Sequence, residues 1–200
     1  MKIYFTCSTS EFEKHYTEYS LIRQAIINQG HILTRDWIPE TKEKIEKGID
    51  VRVKDYKEIY KSCVYALETS DVVIVEDTVS NFSTGHQITL ALQSRKPTLV
   101  LWSLEKRHQH FNSMFISGIE SEFLETQYYK LEDIDKIISK FIYKSQKLKD
   151  EERFNLKLNK FERIYLDWSK EKYGNSRTNT IRKAINKLIS EDEEYQNYLG

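Results

Sequence analysis

Between residues 71 and 102 the chain sets a hydroxyl cluster, a histidine and a carboxamide directly after an apolar run. The run is DVVIVE, residues 71–76; Asp77, Thr78, Ser80, Asn81, Ser83 and Thr84 follow, then Gly85, His86 and Gln87, and a second apolar run introduced by Lys96 and Pro97. A similar polar set, Cys7, Ser8, Thr9 and Ser10, follows the apolar start of the chain. Hydroxyls and unpaired backbone N–H groups at a helix start form an anion cradle, suited to a phosphate or a ribose oxygen. That chemistry makes Cys7, Ser8, Thr9, Ser83, Thr84, Gly85 and His86 a ligand-binding set. Ser and Thr are also the ordinary N-caps of helices, and on pattern alone both readings stay open. His86, a lone histidine in a first turn, reads equally as a surface or hydrogen-bonding residue.

The elements that must position these groups alternate along the first 146 residues. Residues 3–7 form a short strand, and residues 11–28 carry helical spacing through Phe12, Tyr16, Tyr19, Ile22, Ala25 and Ile26, with Gly30 ending the helix. Residues 31–37 read as a second strand, 38–50 as a charged loop, and 51–68 as a helix with Tyr56, Tyr60, Val64 and Leu67 on one face. A strand over 71–76, a helix over 84–93, a strand over 98–102, a loop over 103–122, an edge strand over 123–129 and a helix over 131–142 complete the series. Repeated strand-then-helix order predicts an α/β fold, a Rossmann-like, mostly parallel sheet flanked by helices. Ligands of such sheets sit at the carboxyl ends of the strands, where both polar sets lie.

Composition narrows the classes. Two hundred residues with 39 % apolar side chains suffice for one α/β domain and a small appendix, and 31 basic residues against 31 acidic ones exclude a general electrostatic pull towards nucleic acid or membrane. Cys7 and Cys63 have neither metal-type spacing nor a disulfide pattern, so no metal and no cofactor is expected. The N-terminus lacks the apolar core of a signal peptide, and no apolar run nears the ~20 residues of a membrane span. The expected location is the cytoplasm.

The motifs IYFTCSTS, GHILTRDW, SDVVIVED and the spaced pattern of residues 83–102 together resemble the nucleoside 2-deoxyribosyltransferase superfamily, including its deoxynucleoside-monophosphate N-hydrolase branch. The resemblance covers residues 2–142 and is most specific over 83–102. It implies a nucleoside or nucleotide ligand, a pocket often completed by a neighbouring subunit, and a glutamate, two residues after the helix glycine, that attacks the anomeric carbon of the sugar. As in retaining glycosidases, one hard displacement becomes two easier ones. The matching residue is Gln87, a neutral amide and a poor nucleophile. Where the family often has an aspartate facing the leaving base, this chain has Cys63, with Asp55 two turns earlier on the same helix face. Three accounts of Gln87 stay open: a pseudoenzyme that keeps the pocket for recognition; an N-glycosidase or transferase, such as an anti-phage effector, changed from Glu to Gln so that a ligand is trapped; or catalysis through another group such as Asp77 or His86.

After residue 146 the pattern changes. Residues 147–152 are charged and read as a linker, and RFNLKLN, residues 153–159, alternates apolar and polar side chains as a half-buried strand does. A helix capped by Asn159 and stopped by Gly174 follows, then a GNS turn and a helix from Arg177 capped by Ser176, with Ile181, Ala184, Ile185 and Leu188 expected inward. A strand and two helices this short cannot close a core alone, so a homodimer or higher homo-oligomer is expected. The segment resembles the ribbon-helix-helix family of dimeric DNA-binding proteins over residues 153–189. That implies base contacts from Arg153, Asn155 and Lys157 and a phosphate anchor at Ser176, Arg177 and Thr178. Between residues 153 and 187 ten Lys or Arg stand against Glu162, Asp167 and Glu171, the clustered charge that phosphate contact needs. A dimerisation clip with a solvated basic face would use the same residues.

Overall fold

The computed structural model describes residues 1–49, 55–106, 114–149 and 156–199. Two compact units divide the chain, Met1–Glu152 and Arg153–Gly200.

β-Branched and aromatic runs bounded by polar turns give the first unit five strands: β1 (Lys2–Cys7), β2 (Ile32–Leu33), β3 (Val72–Glu76), β4 (Thr98–Ser103) and β5 (Leu124–Tyr129). All four pairings are parallel and the order is β2-β1-β3-β4-β5. The α/β, Rossmann-like class is therefore as the alternation predicts. Strand order reverses between β1 and β3, and the crevice at that reversal is where sheets of this kind take ligands.

Side chains alternate across the sheet and fill two cores. On one face Ile3, Phe5, Val72, Ile74, Leu99 and Leu101 pack against α1 (Phe12–Asn28) and α6 (Ile134–Lys149). On the other, Tyr4, Val73, Val75 and Val100 pack with Ala66 and Leu67 of α3 (Tyr56–Glu68) and with Ile88 and Ala91 of α4 (Phe82–Gln93). No helix among the described residues is long and apolar enough to cross a membrane.

Several boundaries differ from the sequence reading. The expected strand over 31–37 pairs only at Ile32 and Leu33, after which Asp36 turns to take a bidentate ion pair from Arg23 at 2.7 and 2.5 Å. The expected loop over 38–50 holds a helix, α2 (Ile38–Glu46), with Pro39 at its start and Lys42–Glu46, Lys44–Glu40 and Lys47–Glu43 pairs along it. Those are helix signals, Pro in the first turn and opposite charges four apart. Among the described residues helix α3 begins at Tyr56, where Asp55 is extended and its carboxylate accepts the N–H groups of Lys57 and Glu58 at 2.9 and 3.1 Å; residues 51–54 of the expected helix lie outside the described residues. A one-turn α5 (Met114–Ser117) interrupts the expected loop over 103–122, and α6 begins with a 3₁₀ turn (Leu131–Asp133) and runs on through the expected linker start at residue 147.

In the second unit, α7 (Lys160–Tyr173) opens with a capping box: Asn159 Oδ1 accepts from the N–H groups of Phe161 and Glu162, and the Glu162 carboxylate accepts from that of Asn159. Gly174, at φ 70°, closes it in the left-handed region. Ser176 caps α8 (Arg177–Glu191) through the Asn179 N–H at 3.2 Å, and a short α9 (Glu193–Leu199) follows. Of the expected strand over 153–159, residues 153–155 lie outside the described residues, and 156–159 pair with no strand among the described residues. The face of α8 expected inward is open: Ile185 and Leu188 are exposed and Ile181 only partly covered, since α8 meets α7 along one side, where Ser169 and Thr180 hydroxyls lie 3.3 Å apart.

Candidate active site

The cleft at the β1–β3 reversal has a volume of about 1020 Å³. Its floor is the end of β1, Thr6 and Cys7, continuing into Thr9; one wall is the first turns of α4, and the other is α3 with Arg35, Trp37 and α2.

Parallel pairing of Cys7 with Glu76 brings the two polar loops level, and their side chains lock them together. Asn81 donates through Nδ2 to Ser8 Oγ at 2.8 Å, while its Oδ1 accepts from the Thr84 N–H at 3.0 Å. Thr84 Oγ1 donates to Asp77 Oδ1 at 2.7 Å and accepts from the Asn81 N–H at 3.3 Å, completing a capping box. Ser80 Oγ donates to Asp77 Oδ2 at 2.8 Å and Trp102 Nε1 approaches the same oxygen at 3.4 Å. Burial raises the Asp77 pKa above its ordinary value and these three donors oppose the rise. Asp77, Ser8 and the Thr84 hydroxyl thus form a buried brace that fixes where α4 begins.

One turn into α4, Gln87 faces the cleft. Tyr4, on β1, donates its hydroxyl to Gln87 Oε1 at 2.8 Å. Burial first, and then the nearby Cys63 sulfur, push the Tyr4 pKa far up, against smaller lowering by Thr6 and Arg35, so the phenol is a permanent donor. Among the described residues Gln87 Nε2 has no protein acceptor, which leaves the amide NH₂ as the group offered to a ligand. A carboxylate in this place would accept the same Tyr4 hydrogen bond.

Of the residues singled out in the sequence, Gln87, Cys63, Asp55, Cys7, Thr9, Ser83, Thr84 and His86 line the cleft. Ser8 and Asp77 sit behind it in the brace, and Gly85 is not on the lining. Ser83 is exposed to the cleft, whereas Thr84 is buried with its hydroxyl turned to Asp77. Burial, and secondarily Glu76, raise the Cys7 thiol well above its ordinary value, so it presents a neutral sulfur. Asp55 is held as the α3 cap.

Two participants lay hidden in the sequence. Tyr4 sits mid-strand in an apolar run, and only the strand alternation, which puts it on the α3–α4 face, could have pointed to it. Arg35 stands in GHILTRDW; its Nε donates to Ser62 Oγ at 3.0 Å, its guanidinium lies 5.9 Å from the centre of the Trp37 ring, and it forms no ion pair among the described residues. The lining carboxylates are engaged: Glu40 with Lys44 at 2.5 Å, Glu58 with Lys61 at 3.1 Å, and Asp55 in its cap. Arg35 is thus a cation directed at the cleft and open to an anion.

In the second unit, Lys157, Ser176, Arg177 and Thr178 are exposed, while Arg153 and Asn155 lie outside the described residues. Ser176 is occupied in capping α8, and Arg177 pairs with Asp167 through Nε at 2.7 Å and an Nη at 2.5 Å.

No family model matches the chain, and no curated protein matches it. Among the solved structures it resembles is the CMP N-glycosidase BcmB of Clostridium botulinum, at a TM-score of 0.48 and 14 % identity, over 70 % of this chain and 99 % of that one.

Proposed function

We propose that the Met1–Glu152 unit binds a nucleoside or nucleotide with its sugar against Gln87, and that the bound N-glycosidic bond is not cleaved because residue 87 is an amide. The carrying observation is the placement of Gln87: on the lining of the crevice where strand order reverses, with its Oε1 held by Tyr4 at 2.8 Å. Cys63 and Arg35 share that cleft, and the exposed Ser83 hydroxyl lies at the α4 start, where backbone N–H groups favour an anion. These are the positions at which a deoxyribosyltransferase-like site would need its nucleophile, its base-facing group and its phosphate contacts.

The chemistry at residue 87 follows from the side chain. A carboxylate oxygen there would form a bond to the anomeric carbon as the carbon–nitrogen bond breaks, the base leaving with the electron pair and taking up a proton; water would then cleave the sugar ester. The amide oxygen of Gln87 carries no charge to offset the developing positive centre, and Tyr4 already draws on its lone pairs. Incubating the chain and a Gln87→Glu variant with the four deoxynucleoside monophosphates and with NAD⁺, then separating products chromatographically, should show free base with the variant only. Base release by neither, together with no binding of any nucleotide by calorimetry, removes the reading; binding without release by either protein leaves a sensor.

For the Arg153–Gly200 unit the proposal is a homodimeric module that contacts DNA. Its support is the concentration of ten basic residues against three acidic ones between residues 153 and 187, eight of the ten on α7 and α8, where Ile164, Ile185 and Leu188 are exposed. Ligand occupancy in one unit could then be coupled to DNA affinity in the other.

A further inference from the structure

A row of aromatic rings lines the cleft, and two of its three members, Phe82 and Tyr60, take no part in the site so far described. His86 lies between Phe82 and Tyr60: its ring is within 4° of parallel to Phe82 and 24° of parallel to Tyr60, with centroids 6.1 Å apart in each case. All three line the cleft, yet Phe82 is 87 % exposed and Tyr60 55 % exposed. Two large aromatic faces held open to water beside a polar cavity are costly unless something covers them.

The cleft is also roomy. At about 1020 Å³ it lies at the upper end of the range for small-molecule sites, roughly 300–1,000 Å³. A base and sugar against Gln87 and Cys63 leave the rings of Phe82, His86 and Tyr60, which line the same cleft, uncovered. What would cover them is a negatively charged link followed by a second flat ring. Charge limits the choice further. A polynucleotide strand wants a basic track along successive phosphates, but the lining offers Arg35 as its one unpaired cation among the described residues, with Asp55 and Glu58 on the same wall. One cation suits a single diphosphate bridge.

We infer that the cleft is built for a dinucleotide, two nucleosides joined 5′ to 5′ through a diphosphate, with the second base stacked on the Phe82–His86–Tyr60 row and the diphosphate facing Arg35. This rests on the reading of the cleft as a nucleotide site and specifies its ligand. Stacking of a base on an aromatic side chain is sequence-tolerant, since every base offers a flat π face. The row therefore raises affinity for a second base without selecting which base it is.

Calorimetry on the full chain tests this with NAD⁺, its two halves AMP and nicotinamide mononucleotide, and the 3′–5′ dinucleotide pdApdA. NAD⁺ should bind about tenfold more tightly than the better of its halves, in line with one stacked base. Phe82→Ala should remove most of that gain while leaving the affinity for the halves unchanged, and Tyr60→Ala should act in the same direction. Because Phe82 and Tyr60 are exposed, neither variant should disturb folding, which circular dichroism checks. Equal affinity for NAD⁺ and its better half overturns the inference while the nucleotide reading stands. A gain for pdApdA but none for NAD⁺ overturns it in favour of a strand end. Binding of no nucleotide by the unaltered chain overturns both readings together.

Discussion

Glu76 ends the central strand in a place where a carboxylate is expensive. It is fully buried on the α1–α6 face; Tyr129 donates to its Oε1 at 3.1 Å, the Thr78 hydroxyl donates to the same oxygen, and Oε2 has no partner among the described residues. Burial pushes its pKa up to about 7 from an ordinary 4.5; the Thr78 and Tyr129 hydrogen bonds lower it, and the neighbouring Asp77 adds to the rise. Among the described residues no positive charge is in direct contact with it. Tyr19 and Tyr129 are held neutral by burial, Cys7 likewise, and Glu18 is paired to Lys106. The folded chain therefore keeps a proton on Glu76 that the unfolded chain has released above about pH 4.5. The stability contributed by the protonated form is complete below that pH and is lost as pH rises to about 7, a total of ~3 kcal/mol from this residue. Gln at this position keeps an acceptor for Tyr129 and Thr78 and cannot ionise, so Glu76→Gln should flatten the fall. Urea denaturation from pH 5 to 8 measures it: the two proteins should diverge with pH, the variant becoming the more stable, and parallel curves would refute the assignment. Nothing in DVVIVE distinguishes Glu76 from an exposed strand end. Its burial follows from Tyr129, which stands far along the chain and meets it only across the folded sheet.

At the scale of elements, α4 shows which parts of the site a sequence can disclose. Asn81, Ser83 and Thr84 mark a helix start by residue type, and the helix is there, but spacing does not tell which hydroxyl turns inward. The register of β1 against β3 decides that: it sets Ser8 beside Asn81 and Asp77 beneath Thr84, so Thr84 joins the brace and Ser83 faces the cleft. The five strands of the first unit and six of the helices are legible because their periods are long, their caps plain or their apolar runs unbroken. The α2 helix is masked in the sequence because charged residues cover a weak apolar stripe, and the Tyr4–Gln87 contact is illegible there because it joins residues brought together by the sheet alone. The different duties of Ser83 and Thr84 can be separated. Thr84→Val keeps the volume but leaves Asp77 Oδ1 without its donor, which should lower stability by ~2 kcal/mol, the usual cost of losing a hydrogen bond to a buried charged group. Ser83→Ala touches nothing buried; stability should stay within about 0.5 kcal/mol while nucleotide affinity falls. Denaturation and calorimetry on both variants would expose an inverted assignment as an affinity loss confined to Thr84→Val with stability intact.

For the whole molecule, the second unit raises a question of completeness. Phe161 is 81 % and Leu188 67 % exposed, and Ile164, Tyr165, Trp168 and Ile185 are exposed as well, a quantity of apolar surface that a helix pair does not leave in water when it works alone. Leu166 and Ser169 are the buried residues of α7, and α8 has none. Under the proposed homodimer, a second copy presenting the same surface would cover the exposed apolar side chains. Ile185 and Leu188 are exposed, so charging them should not unfold the chain directly, and a loss of dimers would report on the proposed seam. Ile185→Asp with Leu188→Asp should convert a dimer to a monomer in light scattering at micromolar concentration, because each dimer would bury four carboxylates in an apolar seam. The unfolding transition of Met1–Glu152 should stay where it was, since its two cores lie wholly within that unit. If the proposed DNA contact holds, affinity at low salt should fall as dimerisation is lost, since two copies of the basic segment held together neutralise twice the phosphates of one, and the slope of log affinity against log salt should shrink accordingly. A variant that stays dimeric would show that α8 is not the seam. A monomer that keeps full DNA affinity and slope would detach DNA contact from pairing and leave the basic residues as a solvated surface.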